Sequence, residues 1–455
     1  MSVVDDLLKV TNESASITTN ENIREHHSKD LTSYHEGVSP DVVVFPTSKE
    51  DVSNIVAYAY QNEIPIVPFG MGTSVEGQVI PVKRGICLDF TRMNQIVELR
   101  LDDMIVKVQP GVTRMQLNKY LKKYGLFFPV DPGADATLGG MAATNASGCS
   151  AVRYGTMKDQ ILGLEVVLAD GSIIRTGSLA KKSSAGYNLT QLFVGSEGTL
   201  GVFTELTLKL QGIPESTLFV KAVFPHLSAA GNAARAIIMN SIPVGKLELV
   251  DEQTIVAINK FKQTDFLVLP TLFVELSGSK KSVENDLEIV KELINEEGCL
   301  EWDFSFETGK NQSIWQARHD AALAIAAMAP GKRLMTTDVC VPITSLPEAV
   351  VHARGMMEKE GVDGAILGHL GDGNYHAVLI VDPNSSKDIE IAHKVNEEIV
   401  RFALSKNGTC TGEHGIGLGK AKYLPLEHGQ AVDVMKAIKN VLDQKGILNP
   451  GKIFL

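Results

Sequence analysis

Long apolar runs are missing from this chain: none reaches the roughly 18 residues that a membrane-spanning helix needs, so a transmembrane span is excluded. Cysteine is scarce. Cys87, Cys149, Cys299, Cys340 and Cys410 are odd in number and never form a Cys-x-x-Cys pair, which argues against a disulfide framework or a thiolate zinc site and favours a reducing compartment. Positive charge is also short. With 43 basic residues against 54 acidic ones the net charge is −11, and no global basic field draws the chain to nucleic acid or anionic lipid. Met1 to Val10 carries Asp5 and Asp6 where a secretory signal needs a basic region before an apolar stretch, so the chain reads as cytoplasmic. Peripheral docking at the inner face of a membrane is compatible with that reading. No repeat is evident. Neither standard nucleotide fingerprint occurs: no GxGxxG opens a helix, and Gly419-Lys420 lacks both the upstream glycine and the hydroxyl residue of GxxxxGK[ST].

The composition, 44% hydrophobic and 21% charged over 455 residues, is that of a folded chain, and at roughly 150 residues per domain it predicts two or three domains. Residues 1–37 are polar and loosely helical. Val42 to Phe45 reads as a strand, followed by a capping box of Thr47 with Glu50 and a helix carrying Val52, Ile55, Val56 and Ala59 at helical spacing. Further strands are expected at 64–69, 86–90 and 104–108, a helix at 115–124, a loop-rich block at 131–160, and two strands at 162–168 and 173–176 joined by Asp170-Gly171. After about residue 214 the pattern changes to strand, helix, strand, then strand, helix, strand, which suggests an antiparallel sheet backed by helices. A helix at 311–329, strands near 334–342 and 364–381, a helix at 384–406, a loop at 410–419 and a helix at 430–443 complete the reading.

Three glycine-bearing turns stand out in the first half. Gly70-Met71-Gly72-Thr73-Ser74 follows a strand, Pro132-Gly133 and Thr137-Leu-Gly139-Gly140 lie in the loop-rich block, and Gly195-Ser-Glu197-Gly198-Thr-Leu-Gly201 closes the region. Unhindered amides and hydroxyls in such turns can converge on an anion, phosphate above all, and a long two-phosphate ligand would use all three. Pro68 to Ser74, Asp131 to Asp159 and Gly195 to Gly201 resemble the flavin-binding domain of the vanillyl-alcohol-oxidase/p-cresol-methylhydroxylase superfamily. The resemblance implies FAD, with its pyrophosphate on Gly70 to Ser74 and its ring near Thr137 to Gly140 and the 195–199 turn. It assigns contacts to Pro68, Gly70, Met71, Gly72, Thr73 and Ser74; to Pro132, Gly133, Thr137, Gly139 and Gly140; to Thr144, Ser147, Gly148, Tyr154 and Gly155; and to Glu197, Gly198, Gly201 and Asn449. No histidine or cysteine lies in the 70–77 or 133–140 loops, so the flavin is expected to be non-covalent.

In the second half, Gly368-His369-Leu-Gly-Asp-Gly-Asn-Tyr-His376 places two histidines on what should be paired strand ends, so that both imidazoles can face one point. A divalent ion held this way needs an anionic third ligand, for which Glu413 in Gly412-Glu413-His414-Gly415 is the best candidate; zinc, manganese and iron(II) all suit that set. Trp315-x-x-Arg318, Thr337-Asp338-Val-Cys-Val-Pro342, the 368–376 motif, Gly412 to Gly417 and Ile447 to Ile453 resemble the C-terminal half of FAD-linked D-2-hydroxyacid dehydrogenases. Within that group the cytochrome-type D-lactate dehydrogenases and the glycolate oxidase flavoprotein subunit are nearest. The resemblance implies an α+β fold: a two-part FAD-binding domain of the p-cresol-methylhydroxylase type over 38–213, an antiparallel-sheet substrate domain over 214–420, and a segment 421–455 returning to the FAD domain. It also implies His369, His376 and Glu413 as metal ligands, His414 as the base and Arg318 as the carboxylate-binding cation.

A short 2-hydroxy acid is thus the expected substrate, with a quinone, a cytochrome or an iron–sulfur subunit as electron acceptor, and a homo-oligomer is expected. Relatives acting on longer dicarboxylates carry asparagine two residues after the second histidine, where this chain has Val378, which leans toward a short, apolar acid. A metal-dependent hydrolase with a nucleotide on its glycine turns is the competing expectation. Cys340 reads as a small packed side chain rather than a nucleophile.

Overall fold

The computed structural model describes residues 3–12, 15–31, 34–306, 318 and 320–454. The chain divides into two compact units, one of residues 1–148, 154–213 and 413–455, the other of residues 149–153 and 214–412. The expected α+β architecture, with a C-terminal return to the first unit, is what the chain adopts.

In the first unit Val42–Phe45, Ile86–Asp89 and Ile66–Phe69 pair in parallel with Ile86–Asp89 between the other two, and Ser16–Thr18 adds an antiparallel edge. Parallel strands need a crossover. Helix Lys49–Asn62 supplies it, burying Val52, Ile55, Val56 and Ala59 along one face. Its capping box is Ser48 with Asp51 rather than Thr47 with Glu50: Ser48 Oγ accepts the Asp51 amide and Asp51 Oδ2 accepts the Ser48 amide, both at 3.1 Å. Asp51 also accepts the amides of Asn12 and Thr47, which fixes the start of the helix. Burial raises the pKa of this carboxyl, yet those amides hold it below the usual value.

The second sheet of this unit is antiparallel, in the order Ile96–Arg100, Ile105–Val108, Val202–Lys209, Ile161–Val167, Ile173–Gly177. Its central strand, Val202–Lys209, is buried along most of its length, so alternation could not reveal it. The 131–160 block is not loop throughout: Leu138–Thr144, Ala151–Tyr154 and Met157–Gln160 are short helices. Glycine and alanine fill all of 139–143 but Met141, which leaves the apolar period faint, and the start of the first helix is set by Thr137, whose Oγ1 accepts the Gly140 amide. At the chain's end Ile66 donates to Ile447 O and Asn449 donates to Ile66 O, both at 2.8 Å, which ties the return segment to the parallel sheet.

The second unit is built on an eight-stranded sheet. Its order is Glu301–Phe306, Ser216–Val223, Thr271–Gly278, Val244–Val250, Gly364–His369, Asn374–Val381, Arg333–Thr336, and Val339–Cys340 also pairs with Asn374–Val381. Every pairing is antiparallel. The sequence reading missed helices Glu252–Lys262 and Leu346–Glu360. Helix Leu227–Met239 packs with Lys280–Glu296 and Leu346–Glu360, and the last of these packs with Ser386–Ser405. Helix Glu252–Lys262 packs with Ala321–Met328, and their Ile255, Ile258, Ala321, Ala324 and Ile325 share an apolar cluster with Val250, Phe273, Leu367 and Val378 of the sheet. The expected helix over 311–329 is described at Arg318 and Ala321–Met328; Trp315 and His319 lie outside the described residues.

Candidate active site

The first unit gathers its glycine turns by backbone contact. A Cβ on Gly70 would collide with Thr137 Oγ1, so only glycine lets the 70–74 turn lie against the start of helix Leu138–Thr144. The 195–199 turn docks on the same helix, where the Gly195 amide donates to Ala142 O at 2.9 Å and the Glu197 amide to Ala143 O at 2.8 Å. Gly198 lies against the Pro68 ring, Gly201 against Val166, and Gly139 donates to Pro110 O. The loop residue Gly148 lies against Asp131, and Ser147 Oγ donates to Glu413 Oε2 at 2.8 Å. Tyr154 stands edge-on to Phe127, Gly155 is fitted against Asp159, and Thr144 Oγ1 donates to Gly140 O. Met71 is exposed, while Thr73, Pro132 and Gly133 are half-buried or open.

Two oxygens in this cradle bear on a ligand. Ser74 Oγ and Ser196 Oγ are shut off from solvent and meet no hydrogen-bond partner among the described residues. An orphaned buried hydroxyl costs about 1–3 kcal/mol, so both fit a site completed by a polar ligand.

Glu197 and Asn449 act on the chain itself. The Glu197 carboxylate accepts the Ile416 amide at 2.6 Å and the Gly417 amide at 2.8 Å, and Gln78 Nε2 donates to His414 O at 2.6 Å. Asn449 Nδ2 donates to Gln78 O and Glu197 O. The backbone of residues 414–417 is therefore fastened by Glu197 and Gln78, and Asn449 holds the backbone of both. Burial pushes the Glu197 carboxyl up to about 7 against the pull of those two amides and Lys452.

In the second unit the sheet register assembles the charged groups. Glu248 is directly opposite His369, and Leu367 opposite His376; because side chains alternate, Glu248, His369, His376 and Val378 share one face. The turn between the histidines, Leu370–Asp372 followed by Gly373, needs that glycine, since φ is 79° and a Cβ would strike Val341 O. The two imidazole rings stand edge to face with centroids 5.6 Å apart. His369 Nδ1 bonds Glu248 Oε1 at 2.7 Å and His376 Nδ1 bonds Thr337 O at 3.0 Å. A carboxylate and a carbonyl only accept, so both Nδ1 atoms carry a hydrogen, which makes Nε2 the ring atom through which either histidine could bind a metal. Ligating histidines are commonly oriented in this way, by a hydrogen bond from the other ring nitrogen to a carboxylate or carbonyl.

Arg318, 6% exposed, is ion-paired through Nη2 with Glu248 Oε2, so it is no solvated helix residue. Burial works to raise the Glu248 pKa, but His369 and Arg318 hold the carboxyl below its usual range. Asp338, also fully buried, accepts from Asn374 Nδ2 at 2.7 Å and from Thr411 Oγ1 and the Gly412 amide, both at 2.8 Å. Sequence reasoning missed Glu248 and gave Asp338 no role. The only local signal for Glu248 is an acid inside the apolar run Leu247 to Val250, and nothing near it points to residues 318 or 369. Cys149 was likewise unassigned, although its Sγ lies within 4.8 Å of ligand atoms of Glu248 and His369. Burial pushes the Cys340 thiol up to about 12, and its Sγ donates to Asp372 O, which suits packing rather than nucleophilic chemistry.

Comparison with known proteins bears on the family and the fold. Residues 213–453 match the C-terminal domain of FAD linked oxidases, and residues 40–177 match an FAD binding domain. The chain is 44% identical over 455 residues to a probable mitochondrial D-lactate dehydrogenase of Danio rerio, covering 99% of this chain and 91% of that protein. It is 35% identical over 441 residues to the glycolate oxidase subunit GlcD of Bacillus subtilis (strain 168), covering 94% and 92%. The crystal structure of p-cresol methylhydroxylase with substrate bound shares the fold, with a TM-score of 0.81 at 18% identity over 99% of this chain and 96% of that one.

Proposed function

The chain belongs to the FAD-linked oxidases, and from that premise we propose that it oxidises a short D-2-hydroxy acid, D-lactate to pyruvate, and passes the electrons to a quinone or cytochrome-type acceptor. The observation that carries this reading is the buried Glu248 with Arg318 on one oxygen and His369 on the other, on the sheet face that also bears His376. In such an enzyme FAD supplies the hydride acceptor at N5, and a divalent ion (zinc, manganese or iron) supplies the Lewis acid that lowers the hydroxyl pKa.

The protein's own groups have separate duties. The Gly70–Ser74 and Thr137–Gly140 backbones, with the Ser74 and Ser196 hydroxyls, hold the flavin non-covalently. His369 and His376 offer Nε2 to the ion and Glu413 an oxygen. His414 accepts the hydroxyl proton, since neighbours in extended chain point to opposite sides and leave Glu413 to the ion. Arg318 binds the substrate carboxylate; its fork has five N–H donors, so anchorage to Glu248 through Nη2 is compatible with a second carboxylate. Val378, buried in the apolar cluster on the face of His376, favours a short acid over a dicarboxylate.

A second reading, the flavoprotein subunit of a glycolate-oxidising complex, is supported by the likeness to the Bacillus subtilis subunit. The hydrolase alternative gives way to the family membership. No described helix is long and apolar enough to cross a membrane. The Danio rerio relative is named as mitochondrial, which does not support the cytoplasmic expectation.

The test is an anaerobic visible spectrum of the purified protein with D-lactate, L-lactate or glycolate added separately. Flavin bands should bleach with D-lactate. Bleaching mainly with glycolate would transfer the proposal to the second reading, faster turnover of D-2-hydroxyglutarate would reject the short-acid preference, and no bleaching with any 2-hydroxy acid would reject the function.

A further inference from the structure

Glu248 is fully buried and neither of its oxygens is idle: Oε1 takes His369 Nδ1–H and Oε2 takes Arg318 Nη2–H. The three residues come from a strand, the edge of a glycine turn and a helix, and lie 70 and 121 positions apart from Glu248 in the chain. Strand pairing makes the contact inherently rigid, because Glu248 and His369 are direct cross-strand partners and their strand neighbours Val250 and Leu367 are also paired in register. A carboxylate buried this deeply is tolerable only with charge compensation, which Arg318 provides.

We propose that Glu248 is a positioning residue for two binding functions at once, fixing the His369 tautomer that a metal ion needs and the Arg318 orientation that a substrate carboxylate needs. This rests on the ligand and carboxylate roles proposed above for those two residues. Glu248 touches neither substrate nor ion in this scheme. Its distinctive consequence is coupling: disturbing Arg318 disturbs metal retention, although Arg318 is no ligand, and disturbing the His369 bond disturbs carboxylate affinity. A carboxylate that merely stabilised the sheet would produce no such cross-effect.

Equilibrium binding on the flavin-loaded, full-length protein tests this without turnover. Manganese is titrated and its retention against a chelator is read by elemental analysis; oxalate is titrated separately and read by perturbation of the oxidised flavin spectrum. Glu248→Gln should weaken metal retention about 10- to 100-fold, the usual effect of losing a carboxylate behind a ligating histidine, and should weaken oxalate by at least tenfold. Glu248→Asp should recover neither fully, because its shorter reach cannot serve both partners. Arg318→Lys, which keeps the charge opposite Glu248, decides the matter if the Glu248 variants do not fold: it should change metal retention several-fold as well as oxalate affinity. A folded Glu248→Gln protein with wild-type binding of both probes, or an Arg318→Lys protein altered in oxalate affinity alone, would overturn the inference. A wild-type protein that binds neither manganese nor oxalate would overturn the functional reading, and this inference with it.

Discussion

Beside the glycine turns of the first unit, what is offered to a ligand is mostly backbone amide and serine hydroxyl, and the buried carboxylate there, Glu197, commits both oxygens to the chain's own amides. On the sheet of the second unit the offer is ionisable side chains, with Glu248, Arg318 and the His369/His376 pair drawn from three separate stretches of sequence. The first arrangement is sensitive to added atoms and indifferent to charge, because its shape comes from the absence of Cβ atoms. The second should tolerate small changes of shape but not the loss of a charge, because the buried Glu248 carboxylate is compensated by specific neighbours, Arg318 above all.

Arg318→Ala strikes the second arrangement hardest. It leaves Glu248 buried without its cation, and the expected cost is about 3–5 kcal/mol of stability, read as a lowered unfolding midpoint in denaturant, with flavin content unchanged where the protein is folded. Unchanged stability would mean that the buried pair is not compensating as described. His414→Ala should keep the flavin but slow its reduction by D-lactate roughly 100- to 10,000-fold in stopped-flow absorbance, the usual range for a lost general base; wild-type reduction would remove His414 from the proton transfer.

Glu197 lets pH sharpen the contrast. Its carboxyl sits near pH 7 rather than 4.5 because burial outweighs its amide bonds. A raised carboxyl stabilises the fold fully below the unfolded pKa and loses that contribution as pH rises through the folded pKa. Glu197→Gln should therefore gain stability relative to wild type between about pH 4.5 and 7, by up to about 3 kcal/mol. Melting curves at stepped pH measure the difference, and a gap that does not grow with pH would contradict the assignment. Gly70→Val should have the smallest effect, about 1–3 kcal/mol from overpacking against Thr137, yet it should appear chiefly as flavin loss in the visible spectrum. Full flavin occupancy in that variant would deny the turn its role.

These differences also explain what could be read from the amino-acid sequence. Glycine turns, the His369/His376 pair and most strands are local patterns, and the turn at Gly373 brings the two histidine strands together as their spacing predicts. Val202–Lys209 and helix Leu138–Thr144 were not legible, one because it is buried on both faces and the other because its seven residues carry two adjacent glycines and only Leu138 and Met141 as large apolar side chains. Glu248 was invisible for another reason. Its meaning lies in a strand register that pairs it with a residue 121 positions later, and a single sequence does not contain that register.

The bond from Ile66 to Ile447 and its companion from Asn449 have a consequence for biosynthesis. A ribosome releases the whole of the second unit before it releases the residues that finish the first unit's parallel sheet. The first-made strands must therefore wait, incompletely paired, while later-made chain reaches its final fold. Maturation runs out of order with translation, and the edge of the first unit's parallel sheet at Ile66 is completed only when the last residues of the chain arrive.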